Sequence, residues 1–209
     1  MKIEIWSDFS CPFCYIGEVR LKKALSNLGL LDKVDLVFHS YELNTNAKRH
    51  EGADLNKLIA EKYNITYEEA KKNNDRIVKM AEKSGLNYDF TNITTNNTNL
   101  AHQALKAAES FGCSELMVEK LFEAYFTKGL DLGDINVLLS LGEEVGLNKD
   151  QLRTDLENKT FKDLVEKDEQ RARELSISGV PYFLINGSLV ISGAVSVKSF
   201  TESILSVKE

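Results

Sequence analysis

Residues 2–7 alternate between apolar and polar side chains, with Ile3 and Ile5 on one face, which predicts an opening strand. Over residues 11–28 the spacing becomes helical. Cys14, Gly17, Leu21, Ala24, Leu25 and Leu28 fall on one stripe, and Gly29 supplies a stop. Residues 34–43 read as a second strand, with Leu36 and Phe38 on one face and Val37, His39 and Tyr41 on the other. From 54 to 177 the pattern is helical throughout. Thr66-Tyr67-Glu68-Glu69 has the form of a capping box. Helix faces follow at Ala101, Ala104, Leu105 and Ala108, at Ile135, Leu138, Leu139 and Gly142, and at Phe161, Leu164, Val165, Ala172 and Leu175. Residues 92–99, rich in Asn and Thr, read as a loop. Strand character returns after Gly179. The run 180–185, interrupted only by Pro181, suits a strand covered on both faces. Asn186-Gly187 is a hairpin turn, Leu189-Val190-Ile191 the return strand, and residues 196–207 a closing helix.

The order is therefore β-α-β, a long helical block, then β-β-α. This is an α/β arrangement matching a thioredoxin-like fold with an all-helical insertion between its halves. The expected division is 1–53 with 177–209 for the thioredoxin-like part and 54–176 for the insertion. A chain of 209 residues with 43% hydrophobic content is long enough to bury such a core. A net charge of −6 supplies no basic footprint, so nucleic acid is not an expected partner. No stretch approaches the ~20 apolar residues of a membrane span. The N-terminus goes straight into strand alternation without a basic-then-apolar leader, and read as a natural start it gives a cytoplasmic expectation.

Three cysteines are too few for a disulfide scaffold, and Cys11-Pro12-Phe13-Cys14 places two of them at a strand-to-helix junction. The only two prolines are Pro12 and Pro181, where an average composition would supply roughly ten. Thiol–disulfide exchange needs a thiolate to attack and a nearby second thiol to resolve the mixed disulfide. Cys11 in the first turn gains from unpaired backbone N–H groups and the helix dipole, so it is the expected nucleophile. Cys14 on the core-facing stripe is the expected resolver. The pattern thus predicts one exposed and one sheltered cysteine. Pro12 fits the first turn, where its missing N–H costs little. Phe13 carries no charge to stabilise the thiolate, which places the expected potential between roughly −120 and −270 mV. Phe9, Phe13, Tyr15 and Tyr182 can form an apolar collar for a substrate, or pack beneath a loop. Proline is the residue for which a cis bond is cheap. A cis Val180–Pro181 bond would turn Val180 toward Cys11 and offer its main chain to an extended peptide; on its own, Pro181 also fits a trans strand start. Zinc would need two more ligands at short spacing, and Cys113, His39, His50 and His102 are scattered, so no metal is expected. Cys113 reads as a packed thiol, His39 and His102 as ordinary strand and helix residues, and Asp8 as a cap for the first helix or a proton carrier.

The chain resembles the DsbA family of thioredoxin-fold proteins, and within it the FrnE-like branch. The resemblance covers nearly the full length. It is carried by Ser7-Asp8-Phe9-Ser10-Cys11-Pro12-Phe13-Cys14-Tyr15-Ile16-Gly17 and by Gly179-Val180-Pro181-Tyr182-Phe183 through Ile191-Ser192-Gly193-Ala194. Asn97-Thr98-Asn99-Leu100-Ala101-His102 and Lys128-Gly129-Leu130-Asp131-Leu132-Gly133-Asp134 support it. The family commonly has tryptophan where Phe13 stands. The resemblance implies dithiol–disulfide oxidoreductase or isomerase activity at Cys11 and Cys14, with substrates held at Pro12, Phe13, Val180 and Pro181. It implies no cofactor beyond the redox-active disulfide, and protein or small-molecule thiols as partners. A related branch of 2-hydroxychromene-2-carboxylate isomerases and kappa-class glutathione transferases implies an alternative, a glutathione-dependent isomerase or transferase with glutathione as co-substrate. Those enzymes commonly use serine and lack the resolving cysteine, so the presence of Cys14 favours redox exchange.

Overall fold

The computed structural model describes residues 1–207. Four strands, β1 (Lys2–Ser7), β2 (Asp35–Ser40), β3 (Tyr182–Ile185) and β4 (Leu189–Ser192), form one sheet in the order β2-β1-β3-β4. β1 runs parallel to β2 and antiparallel to β3, and β3 pairs antiparallel with β4. The β1–β2 crossover is helix α1 (Pro12–Asn27). Asn186 and Gly187 both take positive φ, 48° and 69°, the geometry a two-residue hairpin turn needs. Register stacks Ile3 beside Leu36 and Ile185, and Ile5 beside Phe38 and Phe183. That face is covered by α1 and by the closing helix, whose Phe200 meets Phe183 edge-on at 5.0 Å.

The chain divides into two compact units, Met1–Leu43 together with residues from Lys162 on, and Asn44–Phe161. The second unit holds α2 (Leu55–Tyr63), α3 (Tyr67–Glu82), α4 (Asn99–Ser110), α5 (Ser114–Phe126), α6 (Ile135–Glu144) and α7 (Lys149–Glu157). Neighbours pair as α2 with α3, α4 with α5 and α6 with α7. Thr66 and Glu69 form the reciprocal capping box that starts α3. Stacked Tyr88 and Phe126, 4.7 Å apart, anchor an aromatic cluster with Phe122 and Tyr125.

The next helix, α8 (Lys162–Glu174), lies inside the range expected for the helical insertion, yet it packs on β2 in the sheet unit. The reason is its covered stripe, which is Val165, Asp168 and Ala172; Leu164, expected on it, is 42% exposed. Ala172 joins Trp6, Ile177 and Leu184 in a buried cluster on the second face of the sheet, with Val180 and Tyr182 packed against it. Asp168 accepts the backbone N–H of Ser40 at 2.8 Å and sits 2.6 Å from Nδ1 of His39. His39 also reaches Glu4 through Nε2 at 3.2 Å and stacks on Trp6 at 4.3 Å. His39 is thus a structural tie between β2 and α8. The last helix, α9 (Val197–Ser206), starts on a Ser196 side-chain cap.

Candidate active site

β1 delivers the chain to a tight turn at Asp8-Phe9-Ser10. Asp8 is buried; its Oδ1 accepts the Ser10 N–H at 2.9 Å and its Oδ2 the Leu43 N–H at 2.7 Å. Asp8 therefore fixes the turn and ties it to the segment after β2, and the cap of α1 is Cys11 instead. Cys11 donates its N–H to the Asp8 carbonyl at 3.0 Å and has extended backbone angles, φ −91° and ψ 111°, with Pro12 opening the helix. The Cys11 sulfur thereby sits at the positive end of α1, where the N–H groups of Phe13 and Cys14 favour negative charge on it.

Cys14 lies one turn on, and its thiol hydrogen-bonds the Cys11 sulfur. This bond, with help from the backbone N–H groups of Cys14 and Phe13, holds the Cys11 thiol below its ordinary range. Burial and the negative charge of Asp8 oppose it. Burial pushes the Cys14 thiol well up, and donating to Cys11 pushes it further the same way. One group is thus biased toward thiolate and its neighbour toward thiol, the division of labour that exchange chemistry requires. The burial differs from the sequence expectation: Cys11 is 4% exposed and Cys14 1%. A first-turn position leaves a residue open only if nothing crosses it, and here the segment before β3 does. The Cys11 Sγ lies 3.6 Å from the Val180 carbonyl oxygen.

Val180 is half-buried, Pro181 is buried, and the bond between them is cis. Of the four rings considered for a collar, Phe9 and Tyr15 are buried and Tyr182 packs edge-on against Trp6 at 5.8 Å. Only Phe13, at 37%, presents an exposed ring beside the cysteines, and Pro12 is half-buried. Cys113 donates its thiol to the Ala108 carbonyl at 3.4 Å, and burial raises that thiol. His102 is buried in α4. Among the described residues no group of three or more His, Cys, Asp or Glu side chains is placed to hold a metal ion.

Two supports of the site escaped the sequence reading. Gly17 brings α1 against Pro181, and Arg20 binds the carbonyls that follow β4. Asp168 had a legible signal, a carboxylate at the i+3 position of an otherwise apolar stripe from Val165 to Ala172.

A parallel–antiparallel sheet flanked by helices, with a dithiol at a helix start facing a proline-bearing strand entrance, defines a thioredoxin-fold protein. The DSBA-like thioredoxin domain model matches residues 2–205, and the chain belongs to that family. It is 28% identical to protein YwbO of Bacillus subtilis over 204 residues, 97% of this chain and 94% of that one. A probable DsbA oxidoreductase of Streptomyces coelicolor superposes with a TM-score of 0.92 at 28% identity, over 100% of this chain and 90% of that one. The cytosolic disulfide reductase DsbM of Pseudomonas aeruginosa shares the fold, with a TM-score of 0.70 at 16% identity over 100% and 98% of the two chains. Among the described residues no helix is long and apolar enough to cross a membrane.

Proposed function

We propose that this chain is a dithiol–disulfide oxidoreductase in which Cys11 attacks and Cys14 resolves. The observation that carries the reading is the opposite bias of the two sulfurs. Cys11 is stabilised as thiolate at the start of α1, and the thiol of Cys14 is its hydrogen-bond donor. The Cys11 thiolate attacks one sulfur of a substrate disulfide and expels the other as a thiolate. Cys14 then gives up its proton and attacks the Cys11 sulfur. The second substrate thiol leaves, and a Cys11–Cys14 disulfide remains. Two electrons have passed to the substrate; the reverse sequence oxidises a substrate dithiol.

Pro12, Phe13, Val180 and Pro181 form the substrate contact in this reading, with the exposed Phe13 ring offering the apolar part. Protein disulfides and small thiols such as glutathione are the substrate class, and no cofactor is needed beyond the dithiol itself. The motif around Cys11 supports a place in the FrnE-like branch, and the scarcity of cysteine supports a reducing, cytoplasmic setting.

The test is turnover of a fluorescent peptide disulfide with glutathione as reductant, for the unaltered protein, Cys11→Ser and Cys14→Ser. Exchange that depends on both sulfurs supports the reading. If glutathione-dependent isomerisation or conjugation survives fully in Cys14→Ser while disulfide turnover is absent throughout, the glutathione-transferase alternative replaces it.

A further inference from the structure

The Val180 carbonyl that faces Cys11 is held by a closed circuit of contacts beginning and ending on α1. Pro181, the next residue, uses its own carbonyl to accept the Gly193 N–H at 2.8 Å. Ala194 follows, and its carbonyl accepts Arg20 Nη1 at 2.7 Å, with the Val195 carbonyl at 3.4 Å from the same atom. Arg20 stands nine residues beyond Cys11 on α1, about 13 Å along the axis. Between the two ends lies Gly17. A Cβ built there would come within 3.0 Å of Pro181 Cγ, 3.2 Å of Phe183 Cζ and 3.6 Å of Ala194 Cα. Glycine thus lets α1 seat directly on the proline ring, and the charged guanidinium locks the other side of the seat.

We propose that Gly17 and Arg20 are positioning residues that fix the Val180 main chain against the Cys11 sulfur. Each acts through the Pro181 segment, Gly17 by close approach and Arg20 by binding the turn after β4 that Pro181 is bonded to. In the proposed exchange reaction, on which the substrate half of this inference rests, Val180 lines the approach of the substrate backbone. The seat would then govern substrate alignment more than bond-making. The thiol half stands without that reaction. The Val180 carbonyl can accept from a Cys11 thiol but repels a thiolate, so its position biases the sulfur whatever the protein's substrate is.

Three variants separate the possibilities: Arg20→Met, which keeps the stem and removes the donors, Arg20→Lys, which keeps the charge, and Gly17→Ala. Arg20→Met frees the turn, and Gly17→Ala displaces Pro181 by a few tenths of an ångström, so both should move the carbonyl away from Cys11. The thiolate absorbance near 240 nm, titrated against pH, should show the Cys11 acid dissociation constant rising about threefold in both, the scale of a weak S–H···O contact. Arg20→Lys should fall between them and the unaltered protein. KM for the peptide disulfide should rise about threefold or more, with kcat changed less than twofold. A role confined to stability would lower the urea midpoint and leave the titration and the KM-to-kcat split unmoved; that result overturns the proposal. Folded variants that all titrate like the unaltered protein overturn it as well. Should Arg20→Met fail to fold, Gly17→Ala and Arg20→Lys decide the same question. A shifted titration in a protein without disulfide turnover supports the positioning and counts only against the proposed reaction.

Discussion

Replacing Cys14 with alanine separates the two influences on the Cys11 thiol. The largest influence lowering the Cys11 thiol is the hydrogen bond from Cys14, and alanine removes it while leaving α1 and its N–H groups in place. Hydrogen bonds to a charged acceptor contribute about 1.5–3 kcal/mol, and a thiol is a weak donor, so the lower end applies. About 1.4 kcal/mol is one pH unit. Below both midpoints the thiolate population therefore falls about tenfold. A more basic thiolate is also a better nucleophile, and a Brønsted slope of 0.4–0.5 returns about threefold of that loss. Alkylation should be about threefold slower at acidic pH and about threefold faster on the alkaline plateau, so the two pH–rate curves cross. Cys11 is only 4% exposed, which calls for a small reagent such as iodoacetamide, and a Cys113→Ala background removes the third thiol. Cys14→Ser, which keeps a donor, should stay near the parent. An Cys14→Ala midpoint equal to or below the parent's would refute the reasoning and leave the helix start as the sole cause.

Three further outcomes follow from the same structure. Cys14→Ser should accumulate mixed disulfides resistant to dilution while Cys11→Ser accumulates few, as read on non-reducing gels; equal trapping would deny the sulfurs distinct roles. Asp168→Ala should cost about 1–3 kcal/mol in urea unfolding, because it leaves the buried Ser40 N–H without its acceptor and removes the part-buried His39 contact; a loss under about 0.5 kcal/mol would contradict this tie. Burial works against ionisation of Asp131, but Arg49, Asn96 and the Gly133 N–H outweigh it and hold the carboxyl below its ordinary range. A carboxyl depressed in the folded state contributes stability above its unfolded value and loses it as pH falls through the folded one. The stability advantage over Asp131→Asn should therefore shrink as pH falls from about 5 through and below about 3.9, and a gap independent of pH would dismiss the effect.

The parts of the fold that were legible in the sequence are those whose cause is local. Strand alternation at Ile3 and Ile5, the Thr66–Glu69 box and the Asn186-Gly187 turn each depend on residues within a few positions of one another. The membership of α8 depends instead on Asp168 meeting His39, 129 residues away, and helical periodicity is silent about which unit a helix joins. The expected strand over 34–43 runs past Ser40 for a related reason. Tyr41 still donates its N–H to Ser7, but Leu43 N–H is taken by the Asp8 carboxylate, so a side chain rather than a neighbouring strand ends the ladder.

The candidate site divides along the same line. The bias of Cys11 toward thiolate comes from a helix start and a thiol three residues away, both visible in a four-residue motif. Its burial does not, because the covering group is the Val180 carbonyl, 169 residues downstream. The groups that place that carbonyl are more distant still from local pattern: Arg20 reads as an ordinary solvent-facing arginine until Ala194, 174 residues on, is seen to bind it. Gly17 reads as a small residue on a core stripe until a proline ring is found against it. The four-residue motif thus makes the bias of the Cys11 sulfur legible, while the group that covers that sulfur is set by contacts closed only in the folded chain. On the proposed reaction, two members of this family that share Cys-Pro-Phe-Cys would differ in substrate where the residues at 17, 20 and 194 seat the strand entrance differently.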